Sequence, residues 1–243
     1  MKNQNVKPNR AKVEKTINQA CNTSAGRQGK DEDLNIVYFT DPLCCWSWAM
    51  NRQLAQLKTA WNGTIHWRYC MGGLLPAWNK YIDSLNCISR PAQMGPVWMQ
   101  ASQISGLPIP HKIWVDNPPA SSYPACIAVK CAMLQSPALG ELYFHYVQEA
   151  IMVHSLNIAQ YEVLQQVAEQ VAAAMASFDL VRFYDDMKNG NGLEAFRKDI
   201  QEVKYRSIQR FPALLIQRAG QQSILITGYK PADLLISIIK NPG

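Results

Sequence analysis

The most constraining feature of this sequence is a short apolar segment that ends just before a pair of cysteines. Leu34 to Thr40 (LNIVYFT) is rich in β-branched and aromatic residues and is stopped by Asp41-Pro42, which is typical of a buried strand followed by a turn. Apolar residues then recur at helical spacing from Cys45 to about Trp61, and Thr64 to Met71 alternates like a second strand. This β-α-β opening predicts parallel neighbouring strands joined by a right-handed crossover.

The remainder of the chain predicts a helical block followed by two strands and a helix. Residues 74 to 121 are rich in proline but too apolar for a linker, so we expect packed loops with only short helical stretches. Apolar residues at helical spacing then predict five helices, at Tyr123–Leu134, Leu139–Met152, Ile158–Ala176, Asp179–Met187 and Leu193–Val203. Strand patterns in Pro212–Gln217 and Ser223–Thr227 predict a hairpin, and the last predicted element is an amphipathic helix over Pro231–Lys240.

The order of elements is thus β-α-β, a helical block and then β-β-α, which predicts an α/β protein. Residues 1–33 are polar, and we expect them to be an N-terminal extension.

Composition and charge exclude several classes of function. The formal net charge is +6, but residues 1–33 hold seven basic against four acidic residues, which is about half of the excess, and no dense basic block follows. Nucleic-acid binding is therefore not expected. No apolar run approaches the roughly 18 residues that span a bilayer, and residues 1–33 lack the apolar stretch of a secretory signal, so we expect a cytoplasmic protein without membrane contact.

Seven cysteines at irregular spacing make a poor disulfide framework, and we expect most of them to be free thiols. Cys44 stands where the first strand turns into the first helix. Unpaired backbone amides and the helix dipole at that position favour a thiolate, which is the nucleophile in thiol-disulfide exchange. Asp41, before a proline, is expected to cap the turn.

A second segment is expected to approach Cys44. In a chain of this order the later strands begin beside the N-terminus of the first helix, and Phe211-Pro212 falls there. A cis proline would expose the backbone of Phe211 toward Cys44, whereas a trans proline that starts a strand is the alternative.

The sequence Asp41-Pro42-Leu43-Cys44-Cys45-Trp46-Ser47-Trp48 resembles the D-P-x-C-x-W-C-W motif of the DsbA-like family, in its FrnE-like cytoplasmic branch. Ser121 to Cys126 (SSYPAC) is similar to the S-S-x-P-A that opens the inserted helix of that family, and Phe211-Pro212 matches its cis-proline loop. The resemblance covers about residue 35 to the C-terminus. It implies an α/β thioredoxin fold (β-α-β … β-β-α) and disulfide oxidoreductase activity. Residues 34–73 and 204–243 would form the thioredoxin-like domain, and residues 74–203 the large inserted helical domain.

Ser47 stands where that family has its second cysteine, so the site is C-x-x-S. A second thiol normally releases the mixed disulfide, and a hydroxyl cannot do so, which makes a full dithiol cycle doubtful. Cys45 is a poor substitute because neighbouring α-carbons are about 3.8 Å apart and successive helical side chains diverge.

Our leading hypothesis is a thiol-disulfide oxidoreductase-like enzyme that acts on protein or small thiol and disulfide substrates through one thiolate, by exchange, isomerisation or deglutathionylation. Ser47 would donate a hydrogen bond to that thiolate, and the Pro212 loop would bind the substrate backbone. The candidate catalytic residues are Cys44, Ser47 and Cys45, and the candidate substrate-binding residues are Trp46, Phe211, Pro212 and Arg210.

Two alternatives remain open. The site also resembles kappa-class glutathione transferases and 2-hydroxychromene-2-carboxylate isomerases, which implies a glutathione-dependent enzyme with a deep pocket lined by residues such as Trp98 and Trp114. Arg206 and Arg210 would then hold a glutathione carboxylate. A non-catalytic protein-binding adaptor is the other alternative.

No cofactor is required by these hypotheses, with glutathione as a candidate co-substrate. A metal site is not expected, because Cys126, Cys131, His145 and His154 lack the close ligand pairs of a zinc site.

Overall fold

The computed structural model describes residues 33–81, 83 and 87–241. These residues belong to one unit of the chain, Glu32–Gly243. The predicted N-terminal extension, apart from Asp33, lies outside the described residues.

In the part of the chain that the structure describes, four strands form a single mixed sheet. They are β1 (Leu34–Thr40), β2 (Ile65–Met71), β3 (Ala213–Gln217) and β4 (Ile224–Thr227), in the order β2-β1-β3-β4. β1 pairs in parallel with β2 and antiparallel with β3, and β3 pairs antiparallel with β4. The predicted strands, the parallel first pair and the later hairpin are all present.

Nine α-helices are found in the described residues. They are α1 (Cys45–Ala60), α2 (Met94–Ser105), α3 (Ile113–Asp116), α4 (Tyr123–Gln135), α5 (Pro137–Met152), α6 (Tyr161–Ala174), α7 (Leu180–Asn189), α8 (Asn191–Tyr205) and α9 (Ala232–Lys240). Short 3-10 turns cover Trp78–Lys80 and Pro91–Gln93. None of these helices combines the length and apolarity that crossing a bilayer would require.

Two helix predictions were wrong in their extent. α2 is a full helix of 12 residues, where only short helical stretches were expected. Its Pro96 lies in the first turn, where the missing N–H has no intrahelical partner to lose. α6 begins at Tyr161 rather than at Ile158 because the Asn157 side chain accepts a hydrogen bond from the Ala159 N–H at 3.0 Å, which competes locally with helix formation.

Alternating residues of the strands face two separate apolar clusters. Ile36, Tyr38 and Leu214 contribute to the larger cluster, which includes residues of α1, α9 and the helical block. Phe39 and Leu215 belong to a smaller cluster on the opposite face, completed by residues 203 and 208 and contacted by residue 211. Because β1 and β3 are neighbours, with Phe39 opposite Ala213, the segment before β3 lies beside the residues that follow β1.

Candidate active site

Cys44 is the N-cap residue of α1, with an extended backbone (φ −83°, ψ 109°). A turn delivers it from β1, because the Cys44 N–H donates to the Asp41 carbonyl at 3.0 Å. Its Sγ atom donates a hydrogen bond to the Phe211 carbonyl oxygen at 3.6 Å, and the Phe211–Pro212 peptide bond is cis. The structure therefore brings together the cysteine and the proline loop that the sequence places far apart.

The ionisation of Cys44 differs from the expectation. The residue is only 4% exposed, and burial raises the pKa of its thiol to about 11. Interactions with Ser47 and with the amides of the first helical turn lower this pKa, and the charge of Asp41 raises it further. The prediction of a thiolate near neutral pH is wrong, because loss of solvation outweighs the favourable position at the helix start.

Ser47 lies one turn along α1 and is fully buried. In the thiol form of the site, its hydroxyl has no hydrogen-bond partner among the described residues. The interaction of this side chain with a Cys44 thiolate is among the effects that lower the Cys44 pKa. The Ser47 hydroxyl can therefore donate a hydrogen bond to a charged Cys44 sulfur.

Cys45 is also buried, and burial raises the pKa of its thiol well above the usual value. Both neighbouring cysteines are free, as are the other cysteines in the described part of the chain. Cys87 is exposed, whereas Cys70, Cys126 and Cys131 are buried.

A cavity of about 700 Å³ opens onto both thiols. Of the residues named from the sequence as site or pocket residues, the structure places six on its wall: Cys44, Cys45, Trp46, Trp98, Arg210 and Phe211. Trp114 does not line this cavity but packs edge-on behind Trp98, with ring centroids 5.2 Å apart. Arg206 is paired with Glu202 at 2.8 Å, so Glu202 would compete with a glutathione carboxylate for this guanidinium.

Several wall residues were missed by sequence reasoning. Tyr81, Asp83 and Tyr229 line the cavity, yet no motif singled them out. Gly72, predicted only to end β2, also lines it, and the Phe211 ring occupies the space where a Cβ of residue 72 would lie. Glycine at this position lets the aromatic ring approach the backbone.

The Asp41 carboxylate does more than cap a turn. It accepts hydrogen bonds from the Leu43 N–H (2.8 Å), the Leu74 N–H (2.7 Å), the Ser122 hydroxyl (2.8 Å) and the Cys126 thiol (3.3 Å). Burial raises its pKa, and these donors oppose that increase. One buried carboxylate therefore joins the turn before Cys44, a wall of the cavity and the start of α4.

No group of three or more histidine, cysteine, aspartate or glutamate side chains within residues 33–81, 83 and 87–241 is arranged to hold a metal ion. Cys126 contacts Asp41, and the Sγ of Cys131 lies where a Cβ of Gly192 would be. These two cysteines have packing partners of their own.

Curated relatives with significant similarity are adapter proteins. One, from Halalkalibacterium halodurans, is named ClpXP adapter protein SpxH and is 25% identical over 217 residues, which is 88% of this chain and 69% of that protein. A second protein of this name, from Shouchella clausii, is 25% identical over 86% of this chain and 66% of its own length. The chain thus spans about two thirds of the length of these relatives.

Solved structures share the fold at low sequence identity. A Nitrosomonas europaea protein provisionally named a protein disulfide isomerase has 21% identity and a TM-score of 0.69, over 87% of this chain and all of that one. The cytosolic disulfide reductase DsbM from Pseudomonas aeruginosa has 17% identity and a TM-score of 0.63, and the match covers 85% of this chain and 98% of that one. A 2-hydroxychromene-2-carboxylate isomerase has 14% identity and a TM-score of 0.57, and the match covers 85% of this chain and 93% of that one.

A protein-family model described as thioredoxin matches residues 38–237, most of the chain. Together with the sheet order and the solved structures, this match confirms the predicted α/β fold class and the DsbA-like resemblance. The chain belongs to the thioredoxin family and has a DsbA-like thioredoxin fold with inserted helices.

Proposed function

We propose that this protein performs thiol-disulfide exchange, in which Cys44 captures a client sulfur as a mixed disulfide. The observation that carries this proposal is the position of the Cys44 Sγ, 3.6 Å from the Phe211 carbonyl oxygen and on the wall of a cavity large enough for a client segment. Membership of the thioredoxin family supports this general chemistry.

The exchange step begins when Cys44 loses its proton to solvent. The thiolate, with Ser47 as a hydrogen-bond donor, attacks one sulfur of a client disulfide. A bond forms between that sulfur and Cys44 while the client S–S bond breaks, and the leaving sulfur takes up a proton. Because burial holds the Cys44 pKa near 11, this capture is slow at neutral pH and accelerates as pH rises.

Release of the captured client must come from outside the C-x-x-S motif. Ser47 has no thiol, and Cys45 is a buried neighbour on the same helix start. We propose a small thiol such as glutathione as the second reactant, because Arg210 lines the cavity and a guanidinium can pair with a carboxylate. Disulfide isomerisation and deglutathionylation both follow from this scheme.

The proposal is tested with the reduced protein and glutathione disulfide at several pH values. Mass spectrometry should find a glutathione adduct on Cys44 that disappears in Cys44→Ser and persists in Cys87→Ser. Added reduced glutathione should remove the adduct, and insulin reduction should be weak. An adduct that forms equally in Cys44→Ser would refute the proposal.

A second candidate function is a protein-binding adaptor without turnover. It is favoured by the names of the curated relatives and by the buried, weakly acidic thiol. Binding of the purified protein to ClpXP should be measured by calorimetry for the wild type and for Cys44→Ser. Equal binding by both supports a thiol-independent adaptor, and no binding by either rejects it.

A further inference from the structure

We infer that Tyr81 is a catalytic residue of the proposed exchange reaction, and that its hydroxyl donates a hydrogen bond to the sulfur that leaves when Cys44 attacks a client disulfide. This inference rests on the proposed function of Cys44. The residue lies outside the motif and outside the proline loop, in the segment that follows β2.

Tyr81 shares the cavity with the reacting thiol. Tyr81 and Asp83 both line the cavity that is also lined by Cys44 and Cys45. The hydroxyl donates to Asp83 Oδ2 at 3.4 Å, a long contact that leaves room for a better acceptor.

The tyrosine ring is held by a row of tryptophans. It packs edge-on against Trp78, with centroids 5.7 Å apart, and the Trp78 Nε1–H donates to the Pro119 carbonyl at 3.1 Å. Trp78 also packs edge-on against Trp114, which in turn contacts Trp98. Trp78 thus contacts the phenol ring directly, and Trp114 and Trp98 pack behind Trp78.

The phenol is a donor throughout the neutral range. Burial raises the pKa of Tyr81, the Asp83 carboxylate raises it further, and charge on Cys44 or Cys45 adds to the effect. The phenol and both thiols line the same cavity. A protonated phenol can hydrogen-bond to a sulfur that is becoming negative.

Attack geometry places the leaving sulfur away from Cys44. Exchange proceeds in line, so the departing sulfur lies beyond the attacked one, inside the cavity. Ser47 and Phe211 interact with the attacking sulfur itself. Tyr81 comes from a different segment of the wall and supplies a neutral hydroxyl donor there.

The proton balance is simple. Cys44 gives its proton to solvent, the Cys44–client bond forms, the client S–S bond breaks, and the leaving thiolate, hydrogen-bonded to the Tyr81 hydroxyl, takes a proton from solvent. Tyr81 keeps its own proton throughout. In sum, one thiol and one disulfide yield one mixed disulfide and one new thiol.

The test exploits the basicity of the leaving group. Tyr81→Phe keeps the ring and removes the hydroxyl, and it is compared with the parent protein in a Cys21→Ser, Cys87→Ser background. One probe, 5,5′-dithiobis(2-nitrobenzoate), releases a weakly basic thiolate that gains little from a hydrogen-bond donor. The other, bis(2-hydroxyethyl) disulfide, releases a strongly basic one.

We expect Tyr81→Phe to slow adduct formation with the aliphatic probe roughly tenfold or more. With the aromatic probe the rate should change by less than about twofold. Tyr184→Phe is the matched control, since its hydroxyl contacts Glu169 on the helical block and the residue does not line the cavity. Equal slowing with both probes, or no slowing with the aliphatic one, would overturn the role of Tyr81.

A failure of the proposed exchange function would give a different result from a failure of the Tyr81 inference. If the parent protein forms no Cys44 adduct with either probe, the exchange proposal falls, and the role of Tyr81 falls with it. If the parent forms the adduct and Tyr81→Phe matches it with both probes, only the present inference is rejected.

Discussion

The Cys44 Sγ donates to the Phe211 carbonyl oxygen across a sequence separation of 167 residues. The antiparallel pairing of β1 with β3 produces this contact, because it sets the residues after β1 beside those before β3. A hydrogen bond donated by the thiol stabilises its protonated form. Burial also favours the protonated form and raises the pKa of Cys44. Reactivity of the site is therefore governed by how readily this thiol ionises.

The pH dependence of Cys44 alkylation is the most direct check. Its rate with iodoacetamide should rise with pH toward a midpoint of about 11, because burial raises the thiol pKa to that value. Ser47→Ala should move the midpoint higher, since it removes an interaction that lowers the pKa. Peptide mass spectrometry separates Cys44 from the exposed Cys87, and a Cys44 midpoint at or below 9.0 would contradict this account.

Asp41→Asn should lower the pKa of Cys44. The Asp41 charge raises that pKa, and removing it favours the thiolate. The alkylation midpoint should therefore move down relative to the wild type. Asp185→Asn, which removes an exposed charge on α7, is the control and should leave the midpoint in place. An unchanged midpoint in Asp41→Asn would show that its carboxylate does not tune the thiol.

Gly72→Ala should destabilise the protein by about 1–3 kcal/mol, because the new methyl group would overlap the Phe211 ring. Gly95→Ala is the matched control. In the α2 helix its Cβ would meet only His111 Cδ2, at 3.9 Å, so a gain of roughly 0.5–1 kcal/mol is expected from reduced chain entropy. Urea denaturation measures both, and equal effects would reject the role assigned to the glycine beside Phe211.

Glu141→Gln should reduce stability at neutral pH and flatten its dependence on acid. Glu141 interacts with His145, Lys58 and Tyr69, and these contacts lower its pKa to about 2. Stability from a lowered carboxyl pKa is present above the unfolded value of 4.5 and is lost as pH falls toward 2. The side chain is about one-third exposed, so we expect a cost of about 1 kcal/mol.

The measurement is the free energy of unfolding at several pH values between neutrality and acid. Glu194→Gln is the control, because Glu194 is exposed and its contact with Arg197 is 3.7 Å long. Identical acid profiles for the wild type and Glu141→Gln would contradict the assignment.

Sequence patterns were sufficient for the sheet and for most of the helices. β1 has the predicted bounds, and β2, β3 and β4 each begin one residue later than predicted. The spacing of apolar residues and the presence of turn residues depend on neighbouring positions alone, so they predict these elements without knowledge of the folded chain. The start of α6 was misplaced because Asn157 interacts with both Ala159 and Asn117, and the partner from the other segment cannot be seen locally.

The candidate site was predictable in part. Cys44 at a strand-to-helix turn, and a proline before the third strand, followed from the order of elements. Tyr81, Asp83 and Tyr229 carried no local signal, because their only common feature is the cavity they line. Trp114 looked like a lining residue, yet it packs behind Trp98.

By itself, the sequence determined the order of elements, the position of Cys44 at the start of α1 and the absence of a thiol at Ser47, since each depends on neighbouring residues alone. Only the tertiary structure decided whether Cys44 is charged. Its pKa depends on burial by distant segments and on the balance between Asp41 and Ser47 around one sulfur. Desolvation is a property of the packed chain, and no local pattern encodes its magnitude.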